Sequence, residues 1–123
     1  MPRALLIIGH GSRSSDAATV FQRIVDSVRE KSDFDAVFGC HLELSPPGAE
    51  ETLEEALSRG INEITVVPYF LYEGYHSKND IAGVISRFKA KHPGTVLRLG
   101  RPIGFDPAMA GIIINRAKNA ALI

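Results

Sequence analysis

Two histidines stand where this chain could do metal or acid–base chemistry. His10 follows the apolar run Ala4 to Ile8 almost directly and sits between Gly9 and Gly11. The glycines leave its imidazole uncovered and let the backbone turn sharply. His76 follows a second apolar stretch, Glu63 to Tyr72, within Glu73-Gly74-Tyr75-His76-Ser77-Lys78. Imidazole changes charge near neutral pH and suits Zn, Co, Ni, Cu and Fe. Two of them over one cleft could share a divalent ion with positions left open, which favours chemistry over a structural role. A turn histidine bonded to backbone is the alternative for His10, and spacing alone leaves both open. His41, inside a strand, and His92, at a helix end before Pro93, read as core or surface histidines. Glu43, near the end of the second strand, either adds a carboxylate to the cleft or faces outward. Cys40 reads as a small core residue.

The elements that must hold these residues alternate regularly. Ala4 to Ile8 reads as a strand covered on both faces. After the loop 9–15, Asp16 is the expected cap of a helix from Ala17 to about Lys31, with Val20, Phe21, Ile24, Val25 and Val28 as its apolar face. Asp35 to Leu44 is a second strand, broken at Ser45-Pro46-Pro47-Gly48. Ala49 to Arg59 is a helix with Glu50 and Glu51 in its first turn and Gly60 as its stop. Glu63 to Tyr72 is a third strand, with Pro68 near its carboxyl end because proline cannot donate a ladder bond. The loop 73–79 leads to a helix begun by Asn79 or Asp80 and running to about Lys91. Thr95 to Leu99 is the fourth strand, and Pro107 opens a last helix to about Ala120.

Strand then helix, four times over, predicts an α/β fold in three layers: a four-stranded parallel sheet, order 2-1-3-4, with helices on both faces. The 123 residues make one domain, 1–123, whose folded surface should be roughly 6,500 Å². Ligands of such sheets bind at the carboxyl ends of the strands. The loops 9–15, 45–48, 73–79 and 100–106 meet there, and with strands one and three adjacent, His10 and His76 overhang one cleft.

Composition removes several classes. Fourteen basic residues balance fourteen acidic ones, so no cationic stripe for nucleic acid is expected. One cysteine excludes an intrachain disulfide and a paired-cysteine zinc site, and fits a reducing cytoplasm. The N-terminal apolar run is too short for a signal peptide or a membrane span. The Gly9-His10-Gly11-Ser12-Arg13-Ser14 loop lacks the third glycine of a dinucleotide site, and neither a P-loop nor a nucleophile elbow occurs. Gly9 also replaces the arginine that a phosphohistidine phosphatase would carry. The loop could still cradle an anion at a helix N-terminus, which keeps phosphate handling as a rival.

Taken together, Leu-Ile-Ile-Gly-His-Gly-Ser-Arg (6–13), Leu-Glu-Leu-Ser-Pro-Pro (42–47), Val-Val-Pro-Tyr-Phe-Leu-Tyr-Glu-Gly-Tyr-His-Ser-Lys-Asn-Asp-Ile (66–81) and Gly-Arg-Pro-Ile-Gly-Phe-Asp-Pro (100–107) give the chain a family likeness. It resembles the small single-domain sirohydrochlorin cobalt and nickel chelatases, the short-form, CbiX-like class II enzymes. The resemblance implies a chelatase-like fold and insertion of Co2+, or next Ni2+, into sirohydrochlorin in cobalamin or related tetrapyrrole biosynthesis. It implies no ATP and no cofactor beyond the substrate metal. It makes His10 a metal ligand and the base that takes up a pyrrole proton, His76 the second ligand, and Leu71, Tyr72, Glu73, Gly74, Tyr75 and His76 the wall against which the macrocycle lies. The position of Pro46 often carries a substrate-contacting glutamate in relatives. Here that polar contact is lost, and Glu43 is the candidate to replace it. Arg13, Lys78 and Arg101 are candidates for the substrate's carboxylates, or solvated loop cations. The longer relatives have two such domains facing one cleft, which implies a homodimer here, in the cytoplasm and without a membrane or nucleic-acid partner. A non-catalytic metal or tetrapyrrole carrier would use the same histidines.

Overall fold

The first strand, β1 (Arg3–Gly9), is buried from Ala4 onward, as an unbroken apolar run requires. It is flanked in parallel on both sides, with Leu6 opposite Phe38 of β2 (Ala36–His41) and opposite Val66 of β3 (Glu63–Pro68). A shorter strand, β4 (Val96–Leu99), pairs in parallel with β3. The four-stranded order is β2-β1-β3-β4, as the alternating pattern predicts. The computed structural model describes residues 2–42, 46–72 and 74–123, and of Tyr75 and His76 the backbone only.

Period-two alternation sends the side chains of β1 to two cores. Ala4, Leu6 and Ile8 pack with Leu53 and Ala56 of α2 (Ala49–Ser58) and with Val84 and Phe88 of α3 (Tyr75–Lys91). Leu5 and Ile7 pack with Val25 of α1 (Ser15–Lys31), with Phe21 and Val28 beside them. Helices therefore cover both faces. Close approach of α1 depends on Gly39: a Cβ there would lie 2.7 Å from Val25 Cγ2 and 3.0 Å from the Phe21 ring. Across the other face, His92 at the end of α3 bonds Glu54 of α2, and Arg87 Nε donates to Glu50 at 2.7 Å. The role of His92 is thus structural.

Several boundaries differ from the sequence-based expectation. The cap of α1 is Ser14, whose hydroxyl accepts from the Ala17 amide at 3.3 Å, so Asp16 lies inside the first turn instead. Strand β2 ends at His41, paired with the last residue of β1, Gly9, because β1 offers nothing further to pair with. Glu43, expected near the end of this strand, lies outside the described residues, as does Glu73. Strand β3 stops at Pro68, opposite Ile8 and one residue short of the end of β1. Tyr69 still donates to the Ile8 carbonyl at 2.7 Å, but Phe70 to Tyr72 are not strand. The largest difference is α3, which begins at Tyr75 with Gly74 as its cap. His76 and Lys78 therefore lie in the first helical turn, not in a loop.

The last helix, α4 (Ala108–Lys118), buries none of its residues, and Pro107 is its cap. Ile112, Ile113 and Ile114 are 48%, 66% and 54% exposed. The accessible surface, 8279 Å², accordingly exceeds the value expected for a compact chain of this mass. Among the described residues, no helix is long and apolar enough to cross a membrane.

Candidate active site

The carboxyl end of β1 carries His10 between the two strands it joins. Its imidazole is exposed to solvent on one side and stacked on buried Phe70 on the other, with ring centroids 3.9 Å apart and planes 24° from parallel. Such a ring pair contributes about 0.5–1.5 kcal/mol beyond area burial and fixes the plane of the imidazole. Gly11 follows at φ 96°, a left-handed conformation that lets the loop double back toward the start of α1. Ser12 Oγ accepts from the Ser14 amide at 3.0 Å, joining the loop to the helix cap.

Concave regions open at this edge, and two of them carry candidate residues. The smaller holds about 220 Å³ and is walled by His10, Ser12, Ala17, Phe21, His41 and Tyr69. The larger, about 970 Å³, runs from Leu71 past Arg101 and Pro102 to Phe105 and Met109. Two of its apolar lining residues are open to solvent, Leu71 at 49% and Phe105 at 92% exposure.

The candidate residues distribute over these features unequally. His10 lines the smaller cavity, while Leu71 and Arg101 line the larger. Gly74, His76 and Lys78 sit together at the start of α3, where the Lys78 amide bonds the Gly74 carbonyl at 3.1 Å. The side chains of Tyr75 and His76 lie outside the described residues, as do Glu43 and Glu73. Arg13 is exposed on the loop after His10. Pro46 stands apart, against Pro47, Glu51, Thr52 and Glu55. Among the described residues, no group of three or more His, Cys, Asp or Glu side chains could hold a metal ion.

Reading the sequence alone took His41 as a core or surface histidine and Phe70 as an apolar member of the third strand, with no link to His10. Both signals were present in principle: His41 is two residues from Gly39 on the same strand face, and Phe70 lies two beyond Pro68. Their places beside His10 became visible only with the ends of β2 and β3 set against β1.

The CbiX family model matches residues 4–120. The sirohydrochlorin cobaltochelatase of Methanopyrus kandleri is 31% identical, over 95% of this chain and 96% of its own length. The sirohydrochlorin ferrochelatase of Bacillus subtilis is 29% identical, over 97% of this chain but 46% of its own length. Among solved structures, the cobalt complex of the sirohydrochlorin chelatase SirB from Bacillus subtilis subspecies spizizenii superposes with a TM-score of 0.91 at 30% identity, covering 98% of this chain and 52% of that one. This chain therefore matches the archaeal relative end to end and spans about half of each Bacillus relative.

Proposed function

Because this chain belongs to the CbiX family, we propose that it is a lyase-type chelatase that inserts Co2+, or next Ni2+, into sirohydrochlorin in tetrapyrrole biosynthesis leading to cobalamin or a related product. The observation that carries this reading is His10: an exposed imidazole at the carboxyl end of the central strand, its plane held by Phe70.

Insertion replaces two pyrrole N–H bonds with metal–nitrogen bonds, so two protons leave the macrocycle while the ion sheds its own ligands. A neutral imidazole can bind a metal or accept a proton, but one nitrogen cannot do both at once. His10 therefore holds the ion and takes up one pyrrole proton either in sequence or through different nitrogens, and the second proton passes to water. His76, in the first turn of α3, is the second ligand in this reading. The macrocycle lies against Leu71, Tyr72 and the start of α3, where exposed apolar surface suits a flat ring. Arg13, Lys78 and Arg101 bind carboxylates on its rim. Pro46 contributes position without a polar contact, and ATP has no role.

A homodimer belongs to the same reading, because the Bacillus relatives have about twice this chain's length and one wall of a cleft needs another. The cytoplasm is its proposed location, where a buried free thiol at Cys40 is stable.

The test mixes pure protein, sirohydrochlorin and Co2+ and follows the absorption change. Insertion should run well above the uncatalysed rate and fall to that rate in His10→Ala and in His76→Ala. No acceleration with Co2+, Ni2+ or Fe2+ overturns the proposal, and stoichiometric binding without turnover identifies a carrier instead.

A further inference from the structure

The smaller cavity holds a second imidazole that the metal chemistry does not use. His41 ends β2 beside Gly9, and its ring lines the cavity with His10. Phe21 fixes that ring, with centroids 5.0 Å apart, and Phe21 can come so close only because Gly39 has no side chain. The backbone is pinned too, as the His41 amide donates to the Pro47 carbonyl at 2.9 Å and the next amide, Leu42, donates to Gly9 at 2.8 Å. The side chain is therefore held in place without any hydrogen bond among the described residues.

Its two nitrogens are not equivalent. Nδ1 is buried with no partner, which leaves Nε2 as the nitrogen that can still be reached. A neutral imidazole carries one N–H and one bare nitrogen. Orphaned buried N–H groups are rarer than under-satisfied acceptors, which favours the tautomer with its proton on Nε2. In that form His41 donates into the cavity and offers no lone pair to a metal. The rest of the lining agrees: among the described residues no acidic side chain contributes to it, Ala17 and Ala18 bring the positive end of α1 to its wall, and Phe21 and Tyr69 supply apolar sides.

We propose that the cavity beneath His10 takes one carboxylate arm of the tetrapyrrole, with Nε2–H of His41 as its hydrogen-bond donor and Phe21 and Tyr69 packing on the methylene carbons. This rests on the reading of the chain as a sirohydrochlorin chelatase. An arm anchored there sets the rotation of the macrocycle over His10, which makes His41 a specificity-determining residue.

The test uses metal-free binding. The Kd for sirohydrochlorin should rise on the order of tenfold in His41→Phe, the loss of one hydrogen bond to a charged group, and recover substantially in His41→Gln, which keeps a donor near the same place. In parallel, the imidazole 1H–15N signals of His41 are followed while sodium acetate, and separately inorganic phosphate, is added to wild-type protein. Shifts with acetate and a weakened His41→Phe support the proposal. Sirohydrochlorin binding that is equally tight in wild type and His41→Phe overturns it while leaving the chelatase reading intact. Acetate shifts without sirohydrochlorin binding keep the carboxylate site but overturn the chelatase reading. A response to phosphate alone overturns the carboxylate assignment.

Discussion

At the residue scale, Cys40 has the clearest electrostatic signature. Burial pushes its thiol up from 9.0 to about 12, and a hydrogen bond with Thr52 opposes this only weakly. An unfolded chain releases that proton near the ordinary value, so above pH 9.0 the folded state binds more protons than the unfolded one. The stability tied to the neutral thiol is complete below that pH and is lost as pH rises toward about 12. Urea unfolding at increasing alkaline pH should show a steeper loss for wild type than for Cys40→Ala, although the variant is less stable at neutral pH by about 1 kcal/mol from its cavity. Parallel slopes contradict this. His10 was legible at this scale because its neighbours are diagnostic: an apolar run before it and a glycine on each side. His41 was not, since nothing in Gly39-Cys40-His41-Leu42 tells where the strand stops or which ring will press against the imidazole.

At the scale of elements, the contact between α1 and β2 is the most demanding. A methyl group on Gly39 meets Val25 and Phe21 at sub-van der Waals distance, and both belong to the packed side of the helix. Gly39→Ala should lower stability by about 1–3 kcal/mol, the range for overpacking a filled core, read from urea unfolding. An unchanged midpoint would show that α1 can shift outward freely. The four strands and four helices were legible from apolar runs and their Gly and Pro breaks. Their ends were not, because an end is set by the neighbour. Strand β2 stops opposite the last residue of β1 and β3 one residue earlier, and α3 starts at Tyr75, five residues before Asp80 and four before Asn79, with glycine as its cap.

For the whole molecule, the surface is the telling quantity. At 8279 Å², it exceeds the roughly 6,500 Å² expected for this mass by more than the about 800 Å² that each partner loses in a standard interface. Part of the exposed apolar surface lies on α4, where Ile112, Ile113 and Ile114 face solvent. If the proposed homodimer forms through this helix, sedimentation equilibrium should find wild type as a dimer and Ile113→Asp as a monomer with an unchanged far-UV circular dichroism spectrum and a lower Tm, since association no longer stabilises the folded chain. A monomeric wild type removes the homodimer from the proposal. A dimer untouched by the substitution moves the interface elsewhere.

The sequence by itself determined the sheet order, the layer arrangement and the position of His10, because apolar periodicity and chain breaks are local properties and right-handed parallel crossovers admit few topologies. Tertiary structure alone decided that His76 belongs to a helix, that Phe70 supports His10, and that His41 shares its cavity. Each of these depends on residues far apart in sequence meeting at the level where the central strand ends.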